Sequence, residues 1–565
     1  MDKRSSKDRR LTLVAVVLFL GLSMIAGKLV IVQGLQAGRY KKLAREQRDT
    51  LIKVPARRGT VFDREGEILA ISEDVTTVYA TPYQVKSRKR TAAKIAGVLG
   101  EDPADVEKKL KSRSGFVYLA RKLDNRLADR IKKMDLEGIG FVQESKRLYP
   151  MGHLASQVIG VVDLDNTGRA GLELFYEKTL GGKTGEILLE RDATGNPIPG
   201  SEKKSRHAVD GNDIRLTLDK DIQSCVEEAV ERAVERHGAR AGTAIVMDCN
   251  TGDILAMATS PSYDPNERDE IDPESMRNRA VTDVYEPGSA LKVVTAVGAL
   301  QEKVVTPDTS IFVPSQLPVA DEIFKDATPT PDRQMTFSQI ISKSSNVGTI
   351  EVGLKLGPRR LSEYIERVGL GHRTGIDFPG EVAGIVQPLA SWSGTSVATI
   401  SIGQGISITP LQLACTVSGI ANGGRKVPPH FLGAKVSGKD FIDAGLGGLG
   451  EQVLSRDACM TLVGILEQVV SPGGTGMKAA VNYYRVGGKT GTAEKPVKDG
   501  GYGGTYMATF VGFAPVEHPR LVAMVVLDEP TPIWGGEVSA PVFKEIMDFS
   551  LSHLKIPPSW GSIQR

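Results

Sequence analysis

An α+β fold behind one membrane-spanning helix is what this sequence predicts, on three observations. Residues 11–32, LTLVAVVLFLGLSMIAGKLVIV, form an apolar run of 22 positions broken only by Lys28. Two hairpin signals, at residues 243–258 and 508–527, stand far apart in the chain. The insert between them is mainly helical in pattern, so the two hairpins belong to one antiparallel sheet with helices packed around it.

The apolar run comes first. At 1.5 Å per residue it makes roughly 33 Å of helix, enough for a hydrocarbon core about 30 Å thick. Residues 1–10, MDKRSSKDRR, carry five basic and two acidic side chains. Basic flanks stay cytoplasmic, which predicts a short inner tail (1–10), a transmembrane helix (11–32) and everything later outside. Lys28 falls near the outer end, where its stem can snorkel to the interface. A cleaved signal peptide fits less well, because the run is long and no A-x-A site follows. The rest of the chain holds no comparable apolar run, so one span is expected.

Composition limits what the exported part can be. At roughly 150 residues per domain, 565 residues predict two to four domains. Lys and Arg total 71 against 68 Asp and Glu, and a net charge of +3 gives no field for gripping nucleic acid. Four cysteines in this length are no disulfide framework, although Cys249, Cys415 and Cys459 could pair outside the cytoplasm.

Residues 33–51 are polar and helix-compatible, a stalk. Residues 52–199 are mixed, with charged helical stretches at 105–111 and 125–134, and the main boundary is expected near 205–215. Beyond it, Ile222, Cys225, Val226, Ala229, Val230, Ala233 and Val234 recur at helical spacing. Asp219 caps that helix and Gly238 stops it, with Cys225 read as core. The first hairpin follows, turning at Asn250-Thr251-Gly252. The second turns around His518-Pro519, and residues 541–554 form a closing helix.

The chemistry-bearing motifs sit in this second half. In Tyr285-Glu286-Pro287-Gly288-Ser289-Ala290-Leu291-Lys292, a loop feeds an apolar helix, and Ser289 and Lys292 share one face within a turn. An alcohol attacks well only when a neighbour takes its proton, and a lysine can do so only when neutral. Burial and a second cation would both lower its pKa. A helix amino terminus would also aim N–H groups at an oxyanion formed there.

S-x-x-K alone says little, since Ser201-Glu202-Lys203-Lys204 matches it too. Two further elements give it weight: Ser344-Ser345-Asn346 follows 55 residues later, and Lys489-Thr490-Gly491-Thr492 a further 145 on. The first offers a hydroxyl to shuttle protons and an amide to hold a peptide. The second places an ammonium and hydroxyls on a strand, with Gly491 leaving room for a substrate backbone. Such a trio, with S-D-N in the middle, is the signature of serine β-lactamases and penicillin-binding proteins; here the central residue is Ser345. A decoy, Lys183-Thr184-Gly185, precedes the nucleophile and is followed by Glu186; it is assigned to the non-catalytic half.

Other patterns lead nowhere. Residues 445–450 match G-x-G-x-x-G without the strand or the acid that a dinucleotide site needs. Gly488-Lys489-Thr490 resembles a P-loop, but Tyr483 stands where glycine is required. With no H-E-x-x-H and no C-x-x-C, no metal and no cofactor is expected. No G-x-S-x-G elbow exists for a Ser-His-Asp triad.

At this point the sequence resembles the class B penicillin-binding proteins, over about residues 50 to 545. In the first half, residues 58–70 (RGTVFDREGEILA), Gly171-Leu172-Glu173 and Asp192-Ala193-Thr194-Gly195 look like the family's pedestal motifs. In the second, Ser289–Lys292, Ser344–Asn346, residues 403–412 (GQGISITPLQ) and residues 489–493 fall in the family's order. Ala290 and Leu291 depart mildly, standing where Thr and Phe are common.

The resemblance implies a stalk and elongated pedestal (dimerisation-type) domain at 33–210, a transpeptidase domain at 211–554 and a tail at 555–565. It implies a β-lactamase-like catalytic domain, a five-stranded antiparallel sheet flanked by helices. Ser289 would be the nucleophile and Lys292 its base, with Ser344, Asn346 and Lys489 completing the catalytic set. Thr490, Gly491 and Thr492 would bind substrate, and the N–H groups of Ser289 and Thr492 would form the oxyanion hole. The substrates would be peptidoglycan stem peptides ending in D-Ala-D-Ala, with β-lactams as inhibitors.

The length and residues 403–412 resemble the division-associated (septal) subgroup. That subgroup implies partners: a membrane-embedded lipid II polymerase of the SEDS type and other division proteins. Alternatives are a D,D-carboxypeptidase or β-lactamase-type hydrolase, an elongation-specific transpeptidase, and an inactive scaffold. The E-x-x-L-N pattern of a class A lactamase does not occur in the chain.

Overall fold

In a computed structural model, residues 4–190, 204–437, 440–445, 450–497 and 501–559 are described. The pedestal-like motif at 192–195, the S-x-x-K match at 201–203 and residues 446–449 of the glycine-rich decoy lie outside them.

The apolar run forms helix α1, Arg4–Val30, continued by a wider turn over Ile31–Leu35. Lys7–Leu35 is the one helix among the described residues long and apolar enough to cross a membrane, and none of its most apolar stretch is buried in protein. An apolar helix with no protein cover needs a hydrocarbon surrounding.

The chain folds as two compact units. The first comprises Met1–Arg57, Asp74–Ser145 and Gly182–Asp210. In it Asp49–Val54 pairs antiparallel with Gly185–Glu190, which pairs in turn with Lys204–Arg206. Helices Arg88–Leu99, Pro103–Leu110 and Asn125–Lys132 bury Ile95, Val106, Leu110 and Ile131 together with Val78, Ala80 and Leu119. The decoy Lys183-Thr184-Gly185 belongs here, with Lys183 and Thr184 exposed beside the start of a strand.

The second unit comprises Arg58–Glu73, Lys146–Gly181 and Gly211–Arg565. A single cut at 210 would place Arg58–Glu73 and Lys146–Gly181 with the stalk, whereas they pack with the catalytic residues. The reason is a shared core, in which Val61, Leu69, Tyr149 and Leu172 join Ile245 and Met247, and the two stretches are tied to each other by a buried charge cluster. Arg58 donates to Glu173 at 2.5 Å and to Glu177 at 2.6 Å, and Arg147 reaches the other Glu173 oxygen at 2.7 Å. Buried charges must be paired, so these two early stretches are held together as one body.

Helix α2, Lys220–His237, starts at Asp219, whose carboxylate accepts from the Asp221 and Ile222 N–H groups. It ends at Gly238, which adopts the left-handed conformation that glycine tolerates. Both caps stand where the sequence placed them. Strands β1 (Ala241–Asp248) and β2 (Ile254–Ser260) make the first hairpin. Far along the chain come β3 (Gly487–Pro496), β4 (Tyr502–Ala514) and β5 (Leu521–Asp528). The sheet order is β2-β1-β5-β4-β3, five strands, every pair antiparallel.

Each sheet face buries its own core. Ala244, Val246, Ala523 and Val525 pack toward α2 and the closing helix Gly535–His553. Ile245, Met247, Val522 and Met524 pack into the helical insert. Because both faces are covered, β1 is buried at every position.

All four cysteines are free. Cys249, Cys415 and Cys459 are buried and unpaired, which removes the disulfides that the sequence left open. Cys225 is only half-buried, so reading it as core overstated how deeply α2 turns that position inward.

Candidate active site

Ser289 lies in a tight turn, Gly288–Leu291, that runs directly into helix α3, Lys292–Gln301. The turn is held from outside. The Gly288 N–H donates to Gly403 O at 3.1 Å, and a Cβ at Gly403 would fall 2.0 Å from the Gly288 carbonyl oxygen. Glu286, just before the turn, accepts from the Gly405 N–H at 2.9 Å. The 403–405 loop, which the sequence marks only as a resemblance, thus has a physical role in fixing where the nucleophile sits.

Between helices α4 (Phe337–Ser342) and α5 (Asn346–Leu356) stands Ser344, with a φ of +58°. That region is costly for a residue bearing a Cβ, and such strain persists where the surroundings over-determine it. Here the conformation turns both the carbonyl and the hydroxyl of Ser344 onto lysines. Lys292 Nζ donates to Ser344 O at 2.8 Å and to Asn346 Oδ1 at 2.7 Å, and lies 3.4 Å from Ser344 Oγ. From the other side, Lys489 Nζ donates to Ser344 Oγ at 2.9 Å and to Thr490 O at 3.1 Å. One hydroxyl therefore joins two amines.

Both lysines are fully buried. Burial, then the Lys489 charge, pushes the Lys292 amine well below its ordinary range, with Asp326 pulling weakly the other way. Burial brings Lys489 down to about 7. A low-dielectric pocket disfavours an ammonium, and two close ammoniums disfavour each other.

Asp326 belongs to no motif that the sequence displays. Its carboxylate accepts from the Ser345 hydroxyl at 3.0 Å and from the Val347 N–H at 3.1 Å, while Ser345 itself caps α5. It thereby fixes the segment that presents Ser344 and Asn346. No spacing rule links it to them, since it comes from a loop upstream of α4.

Lys489, Thr490, Gly491 and Thr492 lie on β3, at the edge of the sheet. Gly491 also has a reason within the fold to be glycine. A Cβ there would stand 2.8 Å from Pro287 O and 3.2 Å from Ala290 Cβ, so the glycine lets the nucleophile turn lie against the strand. The Thr490 hydroxyl meets that of Thr475 at 2.9 Å. The Thr492 hydroxyl accepts from the Gly535 N–H at 3.2 Å, which leaves its own proton free to donate.

A cleft of about 780 Å³ opens over this assembly. Ser289, Ser344, Asn346, Thr490 and Thr492 line it, joined by Trp534, which the sequence did not single out. Lys292, Lys489 and Gly491 lie behind that lining. Among the described residues the Ser289 hydroxyl has no hydrogen-bond partner, and it faces the cleft half-buried. All eight residues selected from sequence thus converge on one place.

Comparison with known proteins identifies the class. The model of the penicillin binding protein transpeptidase domain matches residues 242–548, and that of the penicillin-binding protein dimerisation domain matches residues 53–216. The chain belongs to the penicillin-binding proteins, in their class B, and its second half is a transpeptidase domain.

Its relatives include peptidoglycan D,D-transpeptidases. It is 36% identical over 542 residues to the probable peptidoglycan D,D-transpeptidase PenA of Neisseria meningitidis, covering 93% of this chain and 90% of that protein. To the peptidoglycan D,D-transpeptidase FtsI of Escherichia coli it is 33% identical over 560 residues, covering 97% and 92%. Among solved structures, penicillin binding protein 3 of Mycobacterium tuberculosis complexed with ampicillin is similar with a TM-score of 0.72 and 29% identity, covering 90% of this chain and 98% of that one.

Proposed function

We propose that this chain is a peptidoglycan D,D-transpeptidase that crosslinks stem peptides through an acyl-enzyme on Ser289. The observation that carries the reading is the Ser344 hydroxyl set between the buried amines of Lys292 and Lys489. Neutral Lys292 takes the Ser289 proton as Oγ attacks the carbonyl of the penultimate D-Ala. The N–H groups of Ser289 and Thr492 hold the resulting oxyanion; losing one such donor typically costs about 10²–10³ in rate. Lys292 then returns its proton through Ser344 to the leaving amine, the C–N bond breaks, and terminal D-Ala departs.

An amine from a neighbouring strand next attacks the ester. Its proton leaves by the same relay, and Ser289 recovers its own. Lys489, with the hydroxyls of Thr490 and Thr492, binds the substrate's terminal carboxylate, a feature that β-lactams share. Asn346 holds the peptide and, through Oδ1, Lys292.

The reading places the amino terminus in the cytoplasm and the catalytic domain outside, because the charge bias before α1 is positive. It takes residues 33–210 as stalk and pedestal, with Arg58–Glu73 and Lys146–Gly181 as the part of the pedestal that packs in the second unit, and 211–554 as catalytic domain. A septal role rests on likeness to FtsI, and partners there would be a SEDS-type lipid II polymerase and other division proteins.

A fluorescent penicillin tests the chemistry. Stable label on the wild type and none on Ser289→Ala is expected, whereas label shed within minutes would make the enzyme a hydrolase. For the cellular role, depletion is expected to give filaments; rounded cells would move it to elongation.

A further inference from the structure

The cleft over Ser289, about 780 Å³, is of a size to hold more than a terminal dipeptide. Among the described residues its lining carries four charged side chains: Asp326, Arg333, Lys343 and Glu537. Three of them are engaged. Asp326 accepts from the Ser345 hydroxyl and the Val347 N–H, Glu537 is paired with Lys478, and Lys343 donates to the Gly473 carbonyl.

Arg333 is different. Its side-chain hydrogen bonding among the described residues is a single one, from Nη2 to Asp326 Oδ2 at 3.4 Å. That is beyond the usual range for N–H···O, and the Asp326 carboxylate already holds shorter bonds. Nε is buried without a partner, while Nη1 has no partner and is open to solvent. The side chain is 36% exposed. A guanidinium offers five donors in a rigid fork that matches a carboxylate two bonds at a time. Here most of that fork is unused, and it lines the cleft.

The chain fixes where this fork stands. Arg333–Thr336 is a short strand paired with Ser310–Val313, and it runs without a break into α4, which ends just before Ser344. Asn346 Nδ2 donates to the carbonyl of Lys325, the residue before Asp326, at 3.2 Å. Arg333 therefore shares with Asn346 the wall of the cleft that faces β3. In the transpeptidase reading the substrate's terminal carboxylate sits at β3 and Asn346 holds the peptide, so the residues upstream of the scissile bond run past Asn346 toward Arg333.

Resting on that reading, we propose that Arg333 binds a carboxylate carried by the stem peptide on the amino-terminal side of its D-Ala-D-Ala end. The enzyme then selects stems whose upstream residues bear a free carboxylate over neutral, amidated ones. Arg333 moves no proton; it determines specificity by touching substrate outside the reacting bond. A lysine there would supply the charge without the fork.

Two penicillins test this, because the penicillin side chain takes the place of the upstream peptide. Benzylpenicillin and carbenicillin differ at one side-chain carbon, which bears a carboxylate in carbenicillin alone. Acylation rates of the full-length protein in detergent are measured by competition with a fluorescent penicillin. The ratio of carbenicillin to benzylpenicillin rates should fall by about tenfold in Arg333→Gln, further in Arg333→Glu and less in Arg333→Lys. Losses common to both penicillins, including any that reach Ser344 through Asp326, cancel in that ratio. A ratio that is the same in wild type and Arg333→Gln overturns the proposal, even if both rates fall. Failure of both penicillins to label the wild type would overturn the transpeptidase reading and this proposal with it.

Discussion

Two pairs of cations are buried in the second unit, and they meet opposite fates. Arg58 and Arg147 share the two oxygens of Glu173, and Glu177 adds a further carboxylate to Arg58. Burial works against the Arg58 charge, but the two glutamates more than reverse it and hold the group above its ordinary value. Lys292 and Lys489 share a hydroxyl instead, and both are driven toward neutrality. Depth is the same; the partner differs. An anion turns buried cations into structure, while a neutral oxygen turns them into a base and its regulator.

The largest effect should come from removing the base. Lys292→Met is expected to slow acylation by about 10²–10⁴, read as the rate of penicillin labelling. Its unfolding midpoint should not fall, because a desolvated amine is a cost to the fold. If Lys292→Met instead unfolds the protein and labels normally once corrected for folded fraction, the contrast between the pairs is wrong.

Glu173→Gln should do the reverse. Leaving two buried guanidiniums short of an anion costs about 3–5 kcal/mol, visible in denaturant unfolding. The labelling rate per folded molecule should hardly change.

The two pairs also separate by pH. Lys489 releases its proton at about 7 in the folded protein against 10.5 ordinarily. Between those values the unfolded chain binds more protons, so stability rises with pH across that window. Lys489→Met should lessen this rise, measured as unfolding midpoint from pH 7 to 10, with the part due to Lys292 remaining. Glu173→Gln should keep it, since arginines stay charged throughout that window. A smaller effect is expected from Ser345→Ala, which removes the α5 cap and loosens Asp326. About 1 kcal/mol of stability should go, with a modest slowing of labelling.

How much of this was legible beforehand follows from the range over which each signal acts. Helix α2 was readable at both ends because its caps, Asp219 and Gly238, act locally. The hairpins were readable for the same reason. Ser289, Lys292, Ser344, Asn346 and the β3 residues were found because motifs keep their order in the chain. Asp326 escaped, since its role depends on a loop folding back onto α5. Arg147 escaped as well: it lies between motifs, and only the fold brings it to Glu173. The closeness of Gly491 to the nucleophile turn escaped because a missing side chain does not say which neighbour needs the space. Depth, which sets both lysine pKa values, is a property of the whole core.

Among the described residues, the strand carrying Lys489 to Thr492 has no sheet neighbour on its outer side. Most proteins blunt such an edge, because its bare amides and carbonyls will pair with any extended chain. A peptide held along this rim would gain main-chain pairing beside the side-chain grip proposed for Asn346, Thr490 and Thr492. Main-chain atoms are the same whatever residue a gene encodes, so exchanging a residue on this strand alters only the side-chain share of that grip.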